Sequence, residues 1–113
     1  MPLIQIWKWG QGGKERSSSF PGRLIDACFE IKELGFSDPH DITVVYAGEN
    51  NVVMSGDPLI IIVEMLFEKP ERTPEVRQRL AKSLGKAVKK VIDPRLVEVV
   101  IKRFNPEDGF WKG

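Results

Sequence analysis

The sequence predicts an α+β fold: two β-α-β pseudo-repeats forming a four-stranded mixed sheet with two helices on one face. Two observations carry this expectation. The halves of the chain match, since Pro2-Leu3-Ile4-Gln5-Ile6 recurs as Pro58-Leu59-Ile60-Ile61-Ile62 at an offset of 56, Pro21 recurs as Pro74 at 53, and Val44-Val45 recurs as Val99-Val100 at 55. Within each half a β-rich run, a helically spaced apolar stripe and a second β-rich run follow one another. A crossover of that kind is right-handed and leaves its two strands parallel. The 113 residues fit one domain with halves 1–57 and 58–113.

Leu3 to Trp9 is rich in β-branched and aromatic residues and is closed by Gly10, which reads as a first strand. Gly10 to Ser19 is a polar, glycine-rich connector. Its backbone amides have the character of an anion cradle, but no Ser or Thr follows Lys14 as a P-loop requires. Pro21 suits a first helical turn, and Leu24, Cys28, Ile31 and Leu34 recur at helical spacing until Gly35 supplies a stop. Cys28 sits in that stripe and reads as packing, and His40 lies in the Asp38-Pro39-His40-Asp41 turn, in solvent.

Ile42 to Tyr46 is the second strand, and the linker from Gly48 to Asp57 includes Val52 to Met54 as a further short strand candidate. Pro58 to Val63 is apolar at every position, as a strand covered on both faces is, and Glu64 brings the first charge. Thr73 then reads as the N-cap and Pro74 as the first residue of a second helix. Val76, Leu80, Leu84, Ala87 or Val88, and Val91 form its buried stripe. Its outer face carries Arg77, Arg79, Lys82, Lys86, Lys89 and Lys90. Asp93-Pro94 ends the helix, Leu96 to Phe104 is the fourth strand, and the tail places Phe110 and Trp111 near the terminus, where exposed aromatics need a surface to cover.

Seventeen basic against sixteen acidic side chains give a formal charge of +1, so no global field draws the protein to nucleic acid or to an anionic membrane. The basic run on the second helix reads as a solvated face, because no interleaved aromatics accompany it. A ferredoxin-like RNA-binding module, the other reading of this element order, lacks its aromatic motif on the central strands. One cysteine excludes an internal disulfide and one histidine leaves no metal cluster of ordinary spacing. Neither a signal core nor a membrane-length apolar run is present, which makes a reducing cytoplasm the expected location. No cofactor is expected.

The chain resembles the tautomerase superfamily, which includes 4-oxalocrotonate tautomerase, 5-carboxymethyl-2-hydroxymuconate isomerase and macrophage migration inhibitory factor. The resemblance rests on Met1-Pro2 ahead of a strand, on the two β-α-β units, and on Met65 to Gln78, which looks like the strand, loop and helix start of the carboxymethyl-hydroxymuconate isomerase. It implies a homotrimer whose sheets enclose a barrel, and an enol-keto tautomerase or isomerase acting on a small 2-oxo or 2-hydroxy-enoic acid. Pro2, freed by loss of Met1, would be the general base. Arg72, just before the second helix, would bind the substrate carboxylate, and Phe110 and Trp111 would line the pocket, with Tyr46 as a further pocket candidate. The sequence departs from the pattern at Thr43 and Glu98, where dicarboxylate-specific members carry a second-strand arginine. The alternative is a non-catalytic trimer of the same fold that binds a small acid.

Overall fold

A computed structural model describes residues 2–7, 19–47, 59–91 and 96–113. Four strands, β1 (Leu3–Trp7), β2 (Thr43–Ala47), β3 (Leu59–Phe67) and β4 (Val97–Phe104), form one sheet in the order β2-β1-β3-β4. β1 runs parallel to β2 and β3 runs parallel to β4, while β1 and β3 pair antiparallel at the centre. The helices α1 (Ser19–Phe29) and α2 (Pro74–Val91) are the two crossovers. The α+β reading with a mixed four-stranded sheet and two helices therefore holds.

Alternation decides which side chains become core. Ile4 and Ile6 of β1, with Leu59, Ile61 and Val63 of β3, point to the helix side and are at most 4% exposed. α1 sets Phe20, Leu24, Ala27 and Cys28 against them, and α2 sets Val76, Leu80, Leu84 and Val88. The helices also touch each other, and Ser83 Oγ donates to the Ala27 carbonyl at 3.5 Å. The opposite sheet face carries Leu3, Trp7, Val45, Ile60, Ile62 and Val100. These residues are half-buried or exposed, with Val45 at 36% and Val100 at 46%. The apolar run of β3 is thus covered on its helix face and open on the other.

α1 differs most from the expected element. It begins two residues ahead of Pro21 and stops at Phe29, where Ile31 adopts an extended backbone (φ −103°, ψ 97°) before a separate 3₁₀ turn over Lys32–Leu34. Gly35 ends that turn at φ 75°, a conformation that costs glycine nothing. The stripe survives the break, and Leu24, Cys28, Ile31 and Leu34 are all buried. The helical period was thus a sound guide to burial but not to helix length. Thr73 caps α2 as expected, accepting from the Val76 N–H at 3.3 Å.

Arg77 is a correction to the outer-face reading. It is half-buried, and its Nη1 curls back to the Arg72 carbonyl at 2.5 Å. His40 is exposed as expected, with Nδ1 2.9 Å from Asp38 Oδ1, and the His40 N–H and ring together hold the Asp38 carboxyl below its usual pKa. The connector 10–18, the 52–54 strand candidate and Asp93-Pro94 lie outside the described residues. No helix among the described residues is long and apolar enough to cross a membrane. Leu84 is fully buried, so Leu84→Ala should cost about 2–5 kcal/mol in a denaturant titration, with an unchanged circular-dichroism spectrum before the transition.

Candidate functional site

The antiparallel pairing of β1 with β3 brings the start of the first to the end of the second. Leu3 lies opposite Glu64, so Pro2 stands beside the point where β3 becomes irregular. Between Val63 and Leu66 the register of β3 against β4 slips, and Met65 there adopts φ 59°. A methionine in the left-handed region is strained, and such strain persists only where the surroundings enforce it. The bulge re-aims the last residues of β3, setting Leu66 against Arg103 and Phe67 against Phe104. Pro2 itself is buried, and its carbonyl accepts the Thr43 N–H at 3.1 Å, which ties the chain start into the sheet.

Aromatic rings cover this end of the sheet. Phe110 meets Phe67 edge-on at 4.8 Å and 74°, and Phe104 lies 5.9 Å from Phe67. Trp111 behaves differently, remaining 86% exposed at the surface of its own chain. Tyr46 belongs to the other end, because it pairs with Ile6, four residues along β1 from Pro2, or about 13 Å at strand rise. It packs on the core from the helix side. Pro2, Phe110 and the turn bearing Arg72 are thus gathered at one end, and Tyr46 is not.

Arg72 is only 6% exposed, buried to a degree unusual for arginine, and donates three hydrogen bonds to backbone oxygens. Nε and Nη2 reach the Leu34 carbonyl at 3.1 and 2.6 Å, and Nη1 reaches the Phe67 carbonyl at 2.7 Å. Its guanidinium also lies 5.2 Å from the centre of the Phe36 ring. Burial lowers its pKa from the usual arginine value, with the Glu71 charge opposing. Three of five N–H donors are thereby engaged, leaving two. Arg72 also lines a hollow of about 430 Å³ together with Lys69, Thr73, Arg77, Glu68 and Arg103. Arg103 pairs with Glu68 at 3.2 Å.

Nothing local in the sequence assigns Arg77 and Arg103 to this cluster. The bulge that aligns Arg103 with Leu66 has no glycine to announce it, so only the register of β4 could have revealed the placement. Among the described residues no group of three or more His, Cys, Asp or Glu side chains could hold a metal ion. Cys28 is no nucleophile in this setting, since burial pushes its thiol up to about 12.

This architecture is the tautomerase fold. A fused 4-OT described as a wild-type asymmetric trimer superposes with a TM-score of 0.70 at 17% identity, covering 98% of this chain and 92% of that one. Pt0534, solved after inactivation by 2-oxo-3-pentynoate, gives 0.66 at 19% identity over 99% and 92%. N1, a member of the cis-3-chloroacrylic acid dehalogenase family, gives 0.65 at 15% over 98% and 80%. No family model and no curated protein matches the sequence.

Two outcomes follow. Arg72→Met removes the bridge between Leu34 and Phe67 and should destabilise the fold by about 2–4 kcal/mol in urea, because the buried Leu34 carbonyl and the partly buried Phe67 carbonyl lose a charged donor. Cys28 should react with a thiol-specific disulfide reagent only at the rate of unfolding, at neutral pH as at pH 9, and quantitatively once the chain is denatured.

Proposed function

We propose that the protein is an enol-keto tautomerase or isomerase acting on a small 2-oxo or 2-hydroxy-enoic acid, with Pro2 as the general base once Met1 is removed. The burial of Pro2 beside the strained Met65 bulge, at the start of a central strand, is the observation that carries this reading. An amine in apolar surroundings protonates less readily than one in water, so a substantial neutral fraction persists near pH 7. Its nitrogen would take the proton from the enol hydroxyl and return it to a carbon of the same substrate, leaving the ketone. No net electron transfer or cofactor is required.

The substrate carboxylate would be held at the arginine-rich hollow, with Arg72 as its interior member offering its two uncommitted N–H groups and Arg77 and Arg103 at the rim. Phe110 would exclude water from the amine. Tyr46, which lies away from Pro2 in its own chain, and Trp111, which is exposed on the surface of its own, would act in a pocket of a neighbouring copy. A homotrimer built on the apolar sheet face would supply such neighbours, and the fused 4-OT structures that share this fold are trimers. The non-catalytic reading, a trimer that binds a small acid, draws on the engagement of Arg72 with Leu34 and Phe67, which commits much of the expected anion site to structural work.

Intact mass establishes whether Met1 is absent, and a panel of enol acids assayed with Pro2→Ala then tests the base. The variant should lose about 10²- to 10⁴-fold in kcat/KM, the usual worth of positioned acid-base catalysis. A loss of under about tenfold would remove Pro2 from the mechanism. 2-Oxo-3-pentynoate, an electrophilic alkyne, should add once to the wild-type N-terminal peptide. Val100→Glu, on the open sheet face, should reduce the native mass from three chains toward one and lower activity with it.

A further inference from the structure

Met65 carries a side chain that neither its backbone nor its burial explains. At φ 59° it lies in the left-handed region, which glycine enters without strain and asparagine enters readily, but which disfavours a long side chain. Core packing does not account for it either. Met65 is 36% exposed in a single chain, while Val63 and Leu66, on either side of the slip, are 1% exposed. Along β3 the helix side is filled at Leu59, Ile61 and Val63, and regular alternation would give it next to Met65. The bulge gives it to Leu66 instead and leaves Met65 out of the core.

The position has a neighbour that the core lacks. Leu3 pairs with Glu64 in the antiparallel register of β1 and β3, so the residue after Glu64 comes level with the residue before Leu3, which is Pro2. The charged groups at this end are already matched. Glu64 pairs with Lys102 of β4 at 3.6 Å, and Glu68 pairs with Arg103 at 3.2 Å. Asp41, ahead of β2, accepts the Asp38 N–H at 3.3 Å, and Arg72 is committed to the Leu34 and Phe67 carbonyls. With each carboxylate engaged, the pull of these anions toward a protonated amine is largely offset, and the apolar surroundings decide the balance.

We propose that Met65 tunes the Pro2 base, its thioether side chain taking the place of water beside the amine and so favouring the neutral form near pH 7. The inference rests on the reading of Pro2 as a free amine. It explains why a residue suited to neither the left-handed backbone nor the core stands at the bulge, since departures from local preference collect at functional sites. Met65 makes no bond to the substrate in this role. It acts through Pro2, and its signature is therefore a change in pH dependence rather than a uniform loss of activity.

The Pro2 nitrogen can be titrated by NMR in the ¹⁵N-proline-labelled wild-type chain and then in Met65→Leu, Met65→Asn and Met65→Gly. Met65→Leu keeps an apolar side chain and should keep the wild-type midpoint. Met65→Asn and Met65→Gly should raise it toward the ordinary amine value of about 7.7. The thermal midpoint of Met65→Asn should not fall, because asparagine accommodates φ 59°. The rate at which 2-oxo-3-pentynoate adds to Pro2 reads the neutral fraction directly. A rise of about one unit would slow it about tenfold well below both midpoints and leave it unchanged well above them. A Met65→Asn midpoint equal to that of the wild type, or a rate loss of the same size on both sides of the midpoint, would overturn the proposal. So would a change of native mass in Met65→Asn, since the methionine would then serve a contact between copies. A wild-type Pro2 that does not titrate would remove the base itself and this role with it, an outcome read from the wild-type chain alone.

Discussion

The antiparallel seam between β1 and β3 is the constraint on which the rest of the structure depends. Each half alone is a parallel strand pair with one helix, too little surface to enclose a core. Joining β1 to β3 makes one sheet broad enough for α1 and α2 to lie side by side over Ile4, Ile6, Ile61 and Val63. The same pairing fixes what meets at each end of the sheet. Because the central strands run in opposite directions, the start of the chain is placed against the bulged end of β3 and the turn into α2.

Arg72 holds the two halves together at that end. Its guanidinium bridges the carbonyl of Leu34, from the first half, and that of Phe67, from the second, while Phe36 covers its face. A buried charge is stable only where its donors are satisfied, and backbone carbonyls can do this without introducing a counter-charge. The arginine therefore has a structural role in the chain that any part in ligand binding must share. Its neighbours Arg77 and Arg103 are more accessible and place additional positive charge around the same hollow.

The architecture was legible because its signals are periodic. The repeated strand-helix-strand order, the 3.6-residue stripes and the capped start at Thr73-Pro74 leave few topologies open, although the match of Pro2 with Pro58 is one residue out of register, since it aligns the core residues Ile4 and Ile6 with Ile60 and Ile62 of the opposite face. The features that shape the site depend on contacts between distant residues. Nothing near Ile31 announces the break after α1, since the stripe continues through it. Met65 offers no glycine to mark a bulge. Arg72 stands out in the sequence only by its place just before the second helix, and its burial becomes evident only when Leu34 and Phe67 are brought to it. Pro2 was conspicuous for its position in the sequence, while the distance of Tyr46 from it required the register of β1 against β2.

If Pro2 acts as the proposed base, it carries a basic, partly desolvated amine, whose nitrogen can be followed by NMR across pH in a chain labelled with ¹⁵N-proline. A titration with a midpoint below about 7.7, the lower end of the ordinary α-amino range, is the predicted result. A Pro2 nitrogen that shows no titration, as an amide behind a retained Met1 would not, or one that titrates as an ordinary solvated amine, would contradict it.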